Sequence, residues 1–390
     1  MLINAWTILL AVPLVACQQQ SQSNSSTIFD VLQAGVRTQS LANFLSSQPA
    51  FQLIVDMLKS PGNLTVFAPS NSALHRFENT VASQLSGQPL TGSTMIYNHS
   101  VVDIIKYHMV NQPVFLAQDL NRTLVLNTLD NNQSSQYFPF GAPLIVLNTN
   151  AKQSYNETGQ INTTTPAGDS ISNWGSKIQR YRGSLASPKK ILRSASVPVY
   201  SVTNGVTNAT ISQYDITASN GVIHIIDDVL LPPGNVLEVL NKVGADMIGQ
   251  MITSNPDLAG EFDAISNVTI FAPTDAGVCT VCINALGSTS LPGLIMNHVV
   301  HGIYYSTNFT DNSTASLVTF DNNTIPVGTN STGSIILNNT VTIIRPDILF
   351  SGGVIHLVDR TFEPPGNMTA NITAPLPLPP SSNITDTDNS

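Results

Sequence analysis

Charge is scarce in this chain. Only 10% of its 390 residues are Asp, Glu, Lys or Arg, against about 25% in ordinary soluble domains. The 15 basic residues are outnumbered by 24 acidic ones, for a net charge of −9. That excludes a general nucleic-acid-binding surface, which needs a basic footprint. Cysteine is scarcer still, at three residues, so a disulfide framework does not hold the protein together. Cys279 and Cys282 have CxxC spacing. They have neither the βαβ context of a redox motif nor the second ligand pair of a zinc site, and are read as a local disulfide or two thiols. No metal or cofactor is expected. Recognisable catalytic patterns such as G-x-S-x-G or H-E-x-x-H are missing, so a hydrolase reading has no nucleophile to start from. The one long apolar run, AWTILLAVPLVA at 5–16, is shorter than a bilayer span requires.

That run has the length of a signal-peptide core, and Ala16 and Cys17 are followed by the polar QQQSQSNSS segment. The expectation is a signal peptide over 1–17 and a polar leader over 18–26. LVAC at 14–17 is also the pattern of a bacterial lipobox, but the glycosylation signals favour the secretory reading. Asn, Ser and Thr carry the solubility that charge does not. There are 17 N-x-S/T sequons, among them Asn63, Asn98, Asn121, Asn156, Asn208, Asn267, Asn308, Asn330 and Asn367. Behind a signal peptide, this density points to a secreted or cell-surface glycoprotein with no transmembrane helix in the mature chain. If the strand edges at Asn63 and Asn267 face solvent, glycans there would shield them from edge pairing.

The sequence also repeats itself. NLTVFAPSNSAL (63–74) returns as NVTIFAPTDAGV (267–278), and GVIHIIDDVLLPP (221–233) as GVIHLVDRTFEPP (353–365). Between each pair lies a His on an apolar stretch, in IIKYHMV (104–110) and LIMNHVV (294–300), and Asp-Ile stands six residues before each GVIH glycine. Four matched blocks in one order mean a duplicated domain: 27–233, with an insertion at about 122–198, then 234–365, with a Pro-, Thr- and Asn-rich tail over 366–390. Helical periodicity runs from Thr27 to about Ser60. LTVFAP reads as a short buried strand whose Leu64, Val66 and Ala68 face one core while Thr65 and Phe67 face another side. Ser70 or Asn71 is placed to cap the next helix. Ile104, Ile105, His108 and Met109 fall on one helical face. GVIHII reads as a central strand buried on both faces, and Gly221 and Gly353 are expected to supply a positive φ at its start.

The residue types that could carry chemistry have simpler readings. His108, His224, His298 and His356 recur at matched positions and are expected in the core with fixed hydrogen-bond partners. Asp227 and Asp228 are adjacent on a strand, so they point to opposite faces and cannot share a proton or a metal. The insertion holds Lys152, Lys177, Arg180, Arg182, Lys189, Lys190 and Arg193 among Tyr155, Trp174 and Tyr181. It reads as a solvated loop, or as a basic aromatic surface for acidic glycans. The tail reads as an extended glycosylated stalk without the apolar end of a lipid-anchor signal.

The two FAP boxes, the Tyr107-His108 and Asn297-His298 steps and the GVIH strands together resemble the fasciclin (FAS1) domain family, twice over, across about 27–365. The resemblance implies an α+β fold: two tandem FAS1-like domains, each a twisted β-wedge or sandwich flanked by helices. It implies a non-enzymatic adhesion, matrix or cell-wall glycoprotein. Its partners would be a cell-surface or matrix protein or a wall polysaccharide, with weak self-association a further expectation. In some animal members Asp-Ile and Tyr-His motifs serve integrin binding. The matching positions here are Tyr107, His108, Asp215, Ile216, His298, Asp347 and Ile348. A secreted carbohydrate- or lipid-binding module working through the basic insertion is the alternative.

Overall fold

The computed structural model describes residues 26–85, 90–118, 123–130, 141–148, 199–278, 291–310 and 314–362. The expected signal peptide, nearly all of the expected leader, the basic part of the insertion, the CxxC pair, the tail and the sequons Asn121, Asn156 and Asn367 lie outside the described residues. Two sheets of seven strands each carry the same order of strands. In the first, β4 (Met109–Val110) pairs with β1 (Leu64–Pro69), then follow β9 (Gly221–Ile226), β8 (Asn208–Ala218), β7 (Tyr200–Thr203), β6 (Pro143–Asn148) and β5 (Leu124–Asn127). In the second, the order is β11 (Val299–His301), β10 (Val268–Pro273), β16 (Gly353–Val358), β15 (Val341–Phe350), β14 (Ile335–Leu337), β13 (Thr324–Thr329) and β12 (Ser316–Val318). A separate hairpin pairs β2 (Met95–Ile96) with β3 (His99–Ser100). Among the described strands only β1 with β9 and β10 with β16 run parallel. Bridges from Val110 to Thr128 and from Val300 to Thr319 bring the two outermost strands of each sheet together, which bends both sheets into barrels.

The strand alternation read from the sequence appears as two cores per domain. Leu64, Val66 and Ala68 face a helical layer, while Phe67 faces the barrel interior with Tyr107, Leu144, Val202 and Ile226. Val268, Ile270 and Ala272 against Phe271 repeat the division. The helical layer of the first domain is α1 (Ile28–Ala34), α2 (Gln39–Ser46) and α3 (Gln52–Lys59), joined by α4 (Asn71–Gln84) and α5 (Val101–Tyr107). Its start is fixed by a capping box between Thr27 and Asp30, which satisfies two orphan donors reciprocally. The second domain answers with α6 (Val236–Val243), capped by Asn235 and ended by Gly244 in the left-handed region, then α7 (Asp246–Thr253) and α8 (Pro256–Asp263). Its remaining described helices are α9 (Leu291–Met296) and α10 (Ser306–Thr310).

Three local expectations are corrected. Gly353 does not have a positive φ. What Gly221 and Gly353 share is close approach, since a Cβ would collide with the carbonyl oxygen of Leu64 or Val268 on the parallel neighbour. His108 is the C-cap of α5 and Met109 opens β4, so the pair does not continue a helical face. Asn63 and Asn267 precede β1 and β10, which have neighbours on both sides, so glycans there would guard no free edge.

Candidate functional site

The matched residues converge on the barrel wall. In each domain one His closes the helix before β4 or β11 and one sits mid-strand in β9 or β16. All four are buried to 3% exposure or less. His108 Nδ1–H donates to the Ile104 carbonyl (2.7 Å), and the Leu230 N–H donates to Nε2 (2.9 Å). His298 does the same with Leu294 (2.8 Å) and Phe362 (2.9 Å). His224 uses the other tautomer: Nδ1 accepts from the Asp215 N–H (3.1 Å) and Nε2–H donates to the Val114 carbonyl (3.1 Å). His356 matches it, with Asp347 (3.2 Å) and Tyr304 (2.8 Å). A backbone N–H can only donate, so each ring must be neutral with both nitrogens engaged. Burial pushes His108, His224 and His298 down to about 4, and lowers His356 as well, because desolvation penalises the charged ring. Such a ring has no lone pair for a substrate proton or a metal. Among the described residues no cluster of His, Cys, Asp and Glu could hold a metal ion.

The Asp-Ile residues are part of the same framework. β8 and β15 each bulge just before the aspartate, where the strand register slips. Asp215 and Asp347 occupy the left-handed region at φ +57° and +62°, a conformation that short polar residues tolerate. The Asp215 carboxylate accepts the N–H groups of Leu116 (2.8 Å) and Ala117 (2.9 Å). Asp347 accepts the N–H of Ser306 (2.7 Å) and its hydroxyl. Asp and His therefore clamp one loop from two sides, residues 114–117 in the first domain and 304–306 in the second. Ile216 packs against the helical core, and Ile348 is fully buried in its counterpart. Tyr107 is fully buried, and its hydroxyl donates to the Pro143 carbonyl (2.8 Å). Asn297 takes its place by accepting from Asn323 Nδ2 (3.0 Å).

Several residues of the repeated boxes have roles that sequence reasoning assigned wrongly or missed. Ser70 caps α4, but Asn71 Oδ1 accepts from Ser40 at the start of α2 (3.0 Å), and Asp275 Oδ1 from Met247 at the start of α7 (2.8 Å). Thr65 and Thr269 each donate to one carbonyl and accept one N–H from the loop after β4 or β11. Their recurrence second in each strand was the available signal. Asp227 accepts from the Thr210 N–H (2.6 Å) and Asp359 from the Thr342 N–H (2.8 Å), which pins one hairpin in both domains. Asp228 turns back to the Val229 N–H. Of the sequon residues, Asn63, Asn98, Asn208, Asn267 and Asn330 are exposed and Asn308 is half-buried. No helix among the described residues is long and apolar enough to cross a membrane.

Residues 38–163, 179–232 and 247–364 match the family profile described as Fasciclin domain. A fasciclin-like arabinogalactan protein of Cercospora beticola is 29% identical over 153 residues, covering 38% of this chain and 40% of that protein. Human Stabilin-1 is 33% identical over 106 residues, or 25% of this chain and 4% of that protein. The chain thus spans two fifths or less of these relatives. A solved FAS1 domain pair from the insect cell adhesion molecule fasciclin I covers 84% of this chain and 96% of its own, at 18% identity and a TM-score of 0.32. The profile match takes in most of the sequence, both repeats included, and the chain belongs to the fasciclin domain family.

Proposed function

We propose that this protein is a secreted, non-enzymatic glycoprotein that makes adhesive contacts with a cell-surface or matrix protein or a wall polysaccharide. The observation that carries the reading is the placement of sequon asparagines. Asn98, Asn267, Asn322 and Asn338 are held at positive φ in turns, and Asn63, Asn208 and Asn330 are exposed. Glycans at these positions leave the fold intact and populate its surface. The four histidines support the absence of catalysis, because a general base needs a free nitrogen within reach of its proton.

Adhesion in this reading does not run through the side chains of Tyr107, His108 or His298, which are buried. The exposed residues around Asp215 and Ile216, namely Ser212, Gln213 and Thr217, are the surface on which such a contact would fall. The test is localisation of a protein tagged in the 366–390 tail, before and after glycosidase treatment, followed by binding of the purified protein to cells and to wall polysaccharide. A heavily glycosylated product outside the cell that binds either target supports the reading. An unglycosylated intracellular product sinks it. Binding to acidic glycans that disappears when 151–195 is deleted would favour the carbohydrate-binding alternative.

A further inference from the structure

The two domains meet along one face, and the residues of that face differ between the repeats. On the first domain it comprises the outward side of β5 and β6, with Val125, Ile145 and Leu147, and the β7–β8 turn at Asn204–Thr207. On the second it comprises Leu349 of β15, Val354 of β16, and Ile303 and Tyr305 after β11. Ile145, Leu349 and Val354 are fully buried. Val206 reaches the helical core of the second domain, and Ile303 reaches the barrel core of the first. The Leu349 N–H donates to the Asn204 carbonyl (2.8 Å) and Arg345 donates to the Gly205 carbonyl, while within the second domain the Ser351 N–H holds the start of the chain after the joint by donating to the Gly234 carbonyl (2.8 Å).

The docked turn is built for close approach. Gly205 has φ +87°, and a Cβ on it would collide with Ile348 Cα and the Asp347 carbonyl. Asn204 holds the turn: its Oδ1 accepts from Val206 (2.9 Å) and Thr207 (2.7 Å), and its Nδ2 donates to the Leu231 carbonyl (2.8 Å). The strand pairing identifies the counterparts of the contact residues that lie in strands. Thr128 and Thr319 occupy the same bridge, so Val125, Ile145 and Leu147 correspond to Ser316, Pro326 and Gly328. All three of these are exposed. Leu349 corresponds to Thr217, which is also exposed, and Val354 to Val222, which is apolar and buried. The counterpart of the docked turn is Asn338-Asn339-Thr340, exposed throughout and itself a sequon.

We infer that the β15–β16 face of the second domain is a socket for another domain of this fold, that the first domain occupies it within the same chain, and that both outer ends of the pair are closed to the same contact. Such a head-to-tail interface generates filaments if its two faces are repeated at the free ends. Here the apolar side chains of β5 and β6 are absent from the second domain's free end, and a glycan on Asn338 would cover the free turn. At the first domain's free end Thr217 replaces Leu349, although Val222 keeps the apolar character of Val354.

The experiment uses the full glycosylated chain and two variants, Gly205→Val, which blocks the turn, and Leu349→Thr, which copies the first domain's residue into the socket. Small-angle scattering of the wild type should fit one compact, concentration-independent particle. Each variant should lengthen its maximum dimension and raise protease cleavage within 231–235 by about tenfold, equivalent to about 1.4 kcal/mol of joint opening. Independently moving domains in the wild type, or scattering and cleavage unchanged in both variants, would overturn the joint. A third protein carries Thr217→Leu, Ser316→Val, Pro326→Ile, Gly328→Leu and Asn338→Gln, which restore the missing apolar side chains and remove the glycan from the free turn. Concentration-dependent oligomers are expected from it. A wild type that oligomerises, or a folded third protein that stays monomeric, overturns the closure of the ends.

Discussion

The first and second domains agree inside and disagree at the margins. Each keeps two neutral histidines, an aspartate at positive φ and a threonine latch on the loop between the fourth strand and the helical turn that follows it. Where they differ, the substitution has a local compensation. Asn220 ties α1 to α3 through Ile28, Leu58 and Ser60. The second domain has Gly352 instead, and a Cβ there would collide with the Ile265 carbonyl. The backbone has closed into the space that the Asn side chain fills in the other copy. Tyr107 and Asn297 likewise reach different partners from the same position. The lesson is that the polar network of the wall defines the fold, while apolar residues on the outer faces record which surface is covered.

Acid should strain this equivalence most. Three of the histidines have folded values near 4, below the ordinary value of about 6.5. The unfolded chain therefore binds protons that the folded one refuses between those limits. The contribution of each His is complete above pH 6.5 and declines as pH falls towards 4, by up to about 1.4 kcal/mol per pH unit. Urea denaturation at pH 7 and pH 5 should show both domains losing stability. A flat profile would mean that the rings are not held neutral.

Removing one ring separates the domains. His108→Ala and His298→Ala each leave a cavity and a buried N–H, of Leu230 or Phe362, without its acceptor. Each should cost about 3 kcal/mol in its own domain. Calorimetry with domain-specific probes checks this, and a large difference between the two would break the equivalence. Asp215→Ala should cost about 2 kcal/mol, because two N–H groups of the clamped loop lose their acceptor and alanine resists the positive φ. Hydrogen exchange at Leu116 and Ala117 should rise with it. The smallest effect is expected from Tyr107→Phe, about 1 kcal/mol for one neutral hydrogen bond, measured as a shift in the urea midpoint of the first domain only.

Much of this architecture was legible in the sequence. The repeat, the two-sided strands of the FAP and GVIH boxes and the buried state of the histidines follow from periodicity and apolar surroundings. What could not be read was the use of polar atoms over long separations. Asn71 caps a helix 31 positions upstream, and Asp215 holds a loop 98 to 99 positions away. No local pattern encodes such pairings, so Asn71 looked, with Ser70, like a cap for the helix beside it and Asp215 like a turn or partner-contact residue. The docking face was hidden for a related reason: Ile145 and Leu147 look like any half-buried strand until the bend of the sheet shows which side faces out.

The parallel pairing of β1 with β9, and of β10 with β16, also bears on the order of events as the chain acquires its structure. The strand that starts each barrel must wait for the strand that completes it, and the stretch from Leu64 to Gly221 is nearly twice that from Val268 to Gly353. Closing the longer loop costs only about 0.5 kcal/mol more in chain entropy, but contacts distant along the chain slow folding. The domain that leaves the ribosome first is therefore expected to close more slowly than the one that follows it. Until it does, the apolar face of β15 and β16 stands uncovered, and the interval between the two closures is when the newly made protein is most exposed to aggregation.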